Sequence, residues 1–288
     1  MPLQTNPDPC LRELPRGSLE TDIATARRVH EVIARYDSLR VRIYRGRPGN
    51  PERIAIREFG SATALRFPAV GYFNEVYHFR EEDLESLDAI TAFYREQGLR
   101  FKLHVAPDTR RDAVFERLAA RGFHAGEKLA LMFRRQSGPA VIEKTSEVEF
   151  APVRSEERED YFRIYLQCFG ADPAKHDAAL RNMMLLHGEP SLHCMFARVD
   201  GEIAGIGMLF VDGKTALLCA GATLPAFRGS GCQTALIQRR VAMARELGCD
   251  CIASWTDLGS RSHENLLACG FTPACHDPVW HSPAVSLS

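Results

Sequence analysis

The chain has 288 residues, 45% of them hydrophobic, with 36 basic and 37 acidic side chains for a net charge of −1. This length and composition fit a globular protein of about two domains. The charges interleave and form no basic face, which argues against nucleic acid as the main partner. The start MPLQTNPDPC lacks the charged segment and apolar core of a secretory signal. The longest apolar run, IAGIGMLFV, is too short to span a bilayer, so no membrane partner is expected. The nine cysteines are odd in number, irregularly spaced and contain no C-x-x-C, which favours reduced thiols and a cytoplasmic location.

In the N-terminal half, Val70–Phe79 reads as a strand, and Glu82–Gly98 as a helix with an apolar stripe at Leu84, Leu87, Ile90 and Tyr94. Leu99–Pro107 reads as the next strand and is followed by ERLAARGF, Glu116–Phe123. Ser137-Gly138-Pro139 breaks the pattern and divides a domain over 1–138 from one over 139–288.

The second half begins with a strand at Val148–Arg154 and a helix over Ser155–Gly170. A second helix covers Asp172–Gly188, with Pro173 in its first turn. Strands at Leu192–Asp200 and Ile203–Val211 are joined by a tight turn at Asp200-Gly201. A turn at Asp212-Gly213 leads into a third strand ending near Leu224. A long amphipathic helix over Cys232–Gly248, a strand over Cys249–Trp255 and a helix ending in ENLLACGF follow, and the tail has room for a closing strand pair.

ENLLACGF (Glu264–Phe271) and ERLAARGF share E-x-L-x-A-x-G-F at a separation of 148 residues. The same offset sets strand on strand, helix on helix and Arg228 on Arg80, which points to an ancient duplication. Two unrelated domains with a common end motif would be the plainer account.

The turn Arg228-Gly229-Ser230-Gly231 stands where a helix is about to start. Gly229 and Gly231 permit backbone conformations closed to other residues and leave no side chain between N–H groups and a ligand. The helix start adds unpaired amides and the positive end of its dipole, a site that suits phosphate. Glycine turns before helices are also common without any ligand. Gly213-Lys214-Thr215 lacks the earlier glycine of a P-loop, and Gly205-Ile206-Gly207 lacks the third glycine of a dinucleotide fingerprint.

On these elements the stretch from 147 to 277 resembles the GNAT acyltransferase superfamily, whose phosphate loop follows [Q/R]-x-x-G-x-[G/A]. Arg228 and Gly231 fit, and Gln233 stands where Gly or Ala is usual. The stretch is similar to a subgroup with R-G-x-G-x-Q and a later S-x-S-x-x-N, present as Ser260, Ser262 and Asn265. The resemblance implies an α/β (α+β) protein of two GNAT-like domains, each a mixed, mostly antiparallel twisted sheet flanked by helices. It implies acetyl-CoA or another acyl-CoA as co-substrate and a small-molecule amine as acceptor, in a monomer or homodimer without a metal. Pyrophosphate is expected on the amides of Arg228, Gly229, Ser230, Gly231, Cys232, Gln233 and Thr234, and pantetheine along Ala222, Thr223 and Leu224. Ser262 and Asn265 either reach the cofactor or cap the next helix. Two functions follow, an N-acyltransferase working by direct attack or a non-catalytic acyl-CoA sensor.

Many GNATs carry a tyrosine acid four residues before the terminal glycine; here that residue is Leu266. Ser262 is a candidate substitute and Asp257 a candidate base, against a loop-capping role. In the N-terminal half the matching turn, Arg80-Glu81-Glu82-Asp83, has lost both glycines and gained carboxylates, so that copy is expected to be degenerate. Cys249, Cys251, His263, Cys269, Cys275 and His276 fit no common zinc spacing. Trp255 fills core or lines a pocket, His187 and His193 stand beside a loop, and Cys219 and Cys232 lack a paired histidine.

Overall fold

The computed structural model describes residues 16–135, 148–170 and 177–284. The proposed boundary at Ser137-Gly138-Pro139, Pro173 and the N-terminal decapeptide lie outside the described residues. The first half contains α1 (Arg16–Arg45), β1 (Ala55–Phe59), β2 (Ala62–Arg66), β3 (Glu75–Phe79), α2 (Leu87–Arg95), β4 (Lys102–Val105), α3 (Arg111–Ala120) and β5 (His124–Arg135). The second contains β6 (Val148–Pro152), α4 (Arg158–Cys168), α5 (Asp177–Met184), β7 (Leu192–Val199), β8 (Glu202–Asp212) and β9 (Thr215–Thr223), then α6 (Cys232–Glu246), β10 (Cys251–Asp257), α7 (Arg261–Ala268) and β11 (Thr272–His281).

Among the described residues eleven strands join in one mostly antiparallel sheet, in the order β1-β2-β3-β4-β11-β5-β10-β9-β8-β7-β6. The predicted pair of sheets is therefore fused. Residues alternate between the two faces as strand geometry requires: Leu131 of β5 and Ala253 of β10 enter one core, while Ala130, Met132 and Ile252 enter the opposite one. Helices α1, α4 and α5 cover the first face. On the other face α2 and α3 pack in the N-terminal half and α6 and α7 in the C-terminal half.

The strand order shows how the halves are joined. The tail supplies one closing strand rather than a pair. β11 lies between β4 and β5, and β5 lies between β10 and β11. Each half thus takes up the final strand of the other. The β5–β11 ladder is antiparallel, from Thr272↔Phe133 to His281↔His124. A buried charged cluster holds the exchange: His104 Nδ1 on β4 lies 2.9 Å from Asp277 Oδ2 on β11, and Arg111 Nη2 on α3 donates to Asp277 Oδ1 at 2.8 Å.

No element was expected from residues 16–45, which form the longest helix of the chain. Its buried face mixes Val29, Val32, Tyr36, Val41 and Tyr44 with His30, Asp37 and Arg40, so polar residues interrupt the apolar stripe. α1 crosses the middle of the sheet and touches strands of both halves. The strand expected over Val70–Phe79 is shorter, because a 3-10 turn occupies Gly71–Phe73. The helix expected from Glu82 starts as a 3-10 turn over Glu81–Ser86.

Candidate functional site

β9 and β10 run parallel and pair only from Thr215↔Cys251 to Leu217↔Ala253. Beyond that point β9 continues to Thr223 with its β10-facing edge open. At the fork Ser254 Oγ donates to the Leu218 carbonyl at 3.1 Å. Next along β9, Ala220 takes a left-handed φ of 40°, and the β8–β9 register shifts between Met208↔Cys219 and Ile206↔Ala222. This bulge turns the strand away from β10.

Arg240 of α6 supports the bulge from below. It is 2% exposed, its Nη1 donates to the Cys219 carbonyl at 3.0 Å, and its Nε donates to the Leu236 carbonyl at 3.1 Å. Burial lowers its pKa to about 10, which leaves it charged at neutral pH. The glycines around it make room: a Cβ on Gly221 would clash with Arg240 Nη2, and one on Gly207 would meet Arg240 Cδ at 3.3 Å.

The open end of β9 leads into the glycine turn. Leu224 N–H donates back to Ala204 at 2.9 Å, Pro225–Phe227 makes one 3-10 turn, and Arg228 follows, exposed. Gly229 and Gly231 have φ of 85° and 80°, and a Cβ on either would meet nothing within 4 Å. Gly231 is the N-cap of α6, with no side-chain cap, and the Ala235 N–H is bonded to its carbonyl at 3.0 Å. The first-turn amides of α6 therefore lack the usual capping side chain at an open surface. Cys232 points inward and is buried. Gln233 braces the strand end, its Oε1 accepting from Thr223 Oγ1 at 3.2 Å and its Nε2 donating to Gly221 at 3.5 Å.

A cavity of about 600 Å³ passes through the fork. Gln233, Ser262 and Leu266 line it on one side, and Tyr36, Arg40 and Tyr72 of the N-terminal half line it on the other. Asp257, at the exposed end of β10, and Trp255 border both this cavity and a neighbouring one of about 180 Å³. Ser262 faces the cavity without capping α7; the cap is Ser260, whose Oγ accepts from His263 N–H at 3.2 Å. Asn265 is not among the cavity-lining residues. Leu266 lines the cavity at the position where the resemblance leads one to expect tyrosine.

Other candidates have structural surroundings. His187 Nε2 lies 3.0 Å from the Val153 carbonyl, and burial lowers the His193 pKa. Cys219 lines the cavity, but burial pushes its thiol up to about 11; burial raises Cys232 as well. Among the described residues no group of three or more His, Cys, Asp or Glu is placed to hold a metal ion. No described helix is long and apolar enough to cross a membrane.

The corresponding place in the N-terminal half is closed. β3 and β4 pair from Glu75↔Lys102 to Phe79↔Val105 across one irregularity between Val76 and Phe79, and Ala106 N–H still reaches the Phe79 carbonyl at 2.8 Å. Asp83, 1% exposed, fills the following helix start, accepting from Arg80 N–H and Ser61 N–H, each at 2.9 Å. A carboxylate of the chain thus stands at that turn.

The functional residues that the sequence left unread come from α1 and the β2–β3 connection. Their chemistry became visible only once the fold set Tyr36, Arg40, Tyr44 and Tyr72 against a fork nearly 200 residues downstream.

Residues 151–271 match the acetyltransferase (GNAT) family. No curated protein matches the sequence. A GCN5-related N-acetyltransferase from Kribbella flavida superposes with a TM-score of 0.61 at 15% identity, covering 80% of this chain and 90% of that one. A functionally unknown protein from Staphylococcus epidermidis gives 0.58 at 12% identity, with 81% and 95% covered. A tandem GNAT protein from the clavulanic acid biosynthesis pathway gives 0.53 at 13% identity, covering 70% of each chain. At these identities the likeness is one of fold, and it extends beyond the matched segment into the N-terminal half. Residues 151–271, a little under half of the chain, thus form a domain that matches the acetyltransferase (GNAT) family.

Proposed function

We propose that the protein is an N-acyltransferase that moves an acetyl or other short acyl group from acyl-CoA to a primary amine of a small molecule. The observation that carries this reading is the fork between β9 and β10, with an uncapped glycine turn at its open end and a cavity running through it. The amides from Arg228 to Thr234 hold the pyrophosphate, and Arg228 adds a full charge at the rim. Pantetheine adds alongside Ala222, Thr223 and Leu224 as an extra strand would.

In the fork the amine attacks the thioester carbonyl carbon, the C–N bond forms and the C–S bond breaks. The amine's proton leaves through Asp257 or water, and the thiolate is protonated with Ser262 or water as donor. Attack is direct, since Cys219 and Cys232 are held as thiols by burial. The N-terminal half, degenerate as a CoA site, walls the acceptor side of the cavity.

A sensor that binds acyl-CoA without turning it over is favoured by one observation, the apolar Leu266 at the customary acid position. Free thiol released from acetyl-CoA with an amine panel separates the two readings. Amine-dependent release supports the transferase, and binding without release supports the sensor.

A further inference from the structure

Tyr36, Arg40 and Tyr44 stand four residues apart on α1, so successive turns carry them along one face, and all three line the larger cavity. Arg40 is 5% exposed and Tyr44 1% exposed. Among the described residues the buried Arg40 Nε has no hydrogen-bond partner, and the buried Tyr44 hydroxyl has only the Arg40 guanidinium beside it. A buried donor left unmade is costly, and a guanidinium edge beside a hydroxyl is suited to a carboxylate.

One terminal nitrogen of Arg40 is already paired. Its Nη1 donates to Asp37 Oδ1 at 3.2 Å, while the other Asp37 oxygen accepts from the Tyr77 hydroxyl at 2.7 Å. The Arg40 guanidinium lies 4.9 Å from the Tyr36 ring centre and 4.6 Å from that of Phe73, which fixes its plane. The surrounding walls are apolar and aromatic, with Phe67, Tyr72 and Phe73 from one half and Phe169, Met183 and Trp255 from the other.

Position along α1 links this subsite to the fork. Tyr36 donates to Met208 Sδ at 3.5 Å, at the level of the β8–β9 bulge. Arg40 stands one turn further, about 6 Å along the helix axis. Among the described residues, Arg40, Arg240 and Asp257 are the charged ones lining the cavity, and Arg240 is engaged with backbone carbonyls. A polyamine would set its additional positive charges against Arg40, whereas a carboxylate would pair with it.

We propose that the cavity takes an amino acid with an apolar or aromatic side chain as acyl acceptor, its carboxylate on Arg40 Nε and the Tyr44 hydroxyl and its amine at the fork. This rests on the acyltransferase reading above. The amine nitrogen bonds to the acyl carbon, the C–S bond breaks, and the amine's proton passes to the CoA sulfur, giving an N-acyl amino acid and free CoA.

The test is calorimetric titration of the CoA-saturated protein with L-phenylalanine, L-leucine, their two amides and spermidine. The acids bind, the amides bind at least tenfold more weakly, and spermidine does not bind. Tyr44→Phe weakens binding of the acids several-fold and leaves the amides unchanged. Arg40→Met abolishes the preference for acid over amide, with thermal melting as the check on folding. Amides or spermidine binding as tightly as the acids, or neither acid binding, overturns the proposal. Thiol release with the same panel separates the two claims. Transfer to spermidine in preference to the acids rejects the acceptor class and retains the transferase. Acid binding without transfer does the reverse.

Discussion

Arg240 of α6 donates to the carbonyl of Cys219 in β9 at 3.0 Å, across 21 residues that include the whole glycine turn. The helix whose first turn faces the expected phosphate is thereby tied to the bulge that opens the fork. Both ends of the proposed CoA groove depend on one buried cation.

Arg240→Met is expected to destabilise the fold by about 2–4 kcal/mol, since it leaves buried carbonyls unsatisfied. It should also weaken CoA binding beyond the effect of global stability. Thermal melting with and without CoA checks this. A variant that melts lower yet binds CoA with unchanged affinity would contradict the link between bulge and groove.

The strand exchange depends on His104 and Asp277, and this contact predicts a pH dependence. Burial alone lowers the His104 pKa, but its hydrogen bond to Asp277 and the nearby carboxylates of Asp277 and Glu75 outweigh it and carry it up to about 10. Burial raises Asp277, but its bond to His104 and the charges of His104 and Arg111 hold it below the usual range. A histidine raised on folding contributes stability that is complete below the unfolded value of about 6.5 and is lost as pH rises toward 10. Between pH 7 and 8.5 the unfolding free energy should therefore fall by up to about 1.4 kcal/mol per pH unit. Asp37, pushed up to about 6 by burial, acts below this window. His104→Gln should flatten the slope; an equally steep slope in that variant would place its origin elsewhere.

Incubation with acetyl-CoA and no amine should leave the intact mass unchanged, because burial holds Cys219 and Cys232 as thiols. Replacing either cysteine by alanine should leave transfer intact. An acetyl adduct lost in either variant would require a covalent route.

Much of the C-terminal half was legible because its signals are local. The turns at Asp200-Gly201 and Asp212-Gly213, the continuous apolar run of β8 and the glycines before α6 each act over a few residues. β5 was not legible, and the tail showed room for closing strands but not that one strand, β11, would pair with the other half, since pairing at such separation leaves no local pattern. α1 was missed for a chemical reason. Its buried face carries His30, Asp37 and Arg40 among its apolar residues, and these interrupt the apolar stripe. Of the fork, the glycine turn could be read; Ser254 and Arg240, which shape the opening, look like ordinary strand and helix residues until their carbonyl partners are in place.

Arg228→Ala should weaken CoA binding by about 1–2 kcal/mol, as one charge-assisted contact at an exposed rim. Titration calorimetry at two salt concentrations checks it, with the difference from wild type shrinking at high salt. No loss at low salt would remove Arg228 from the site.

The account stands most directly on CoA stoichiometry and its dependence on Gly231. In the N-terminal half the strands stay paired and Asp83 fills the helix start, while in the C-terminal half the fork is open and a Cβ at Gly231 would enter free space at a φ of 80°. Calorimetric titration of the full chain should give one CoA per chain, with most of the affinity lost in Gly231→Leu. Two CoA per chain, or unchanged affinity in Gly231→Leu, would contradict the single-site account.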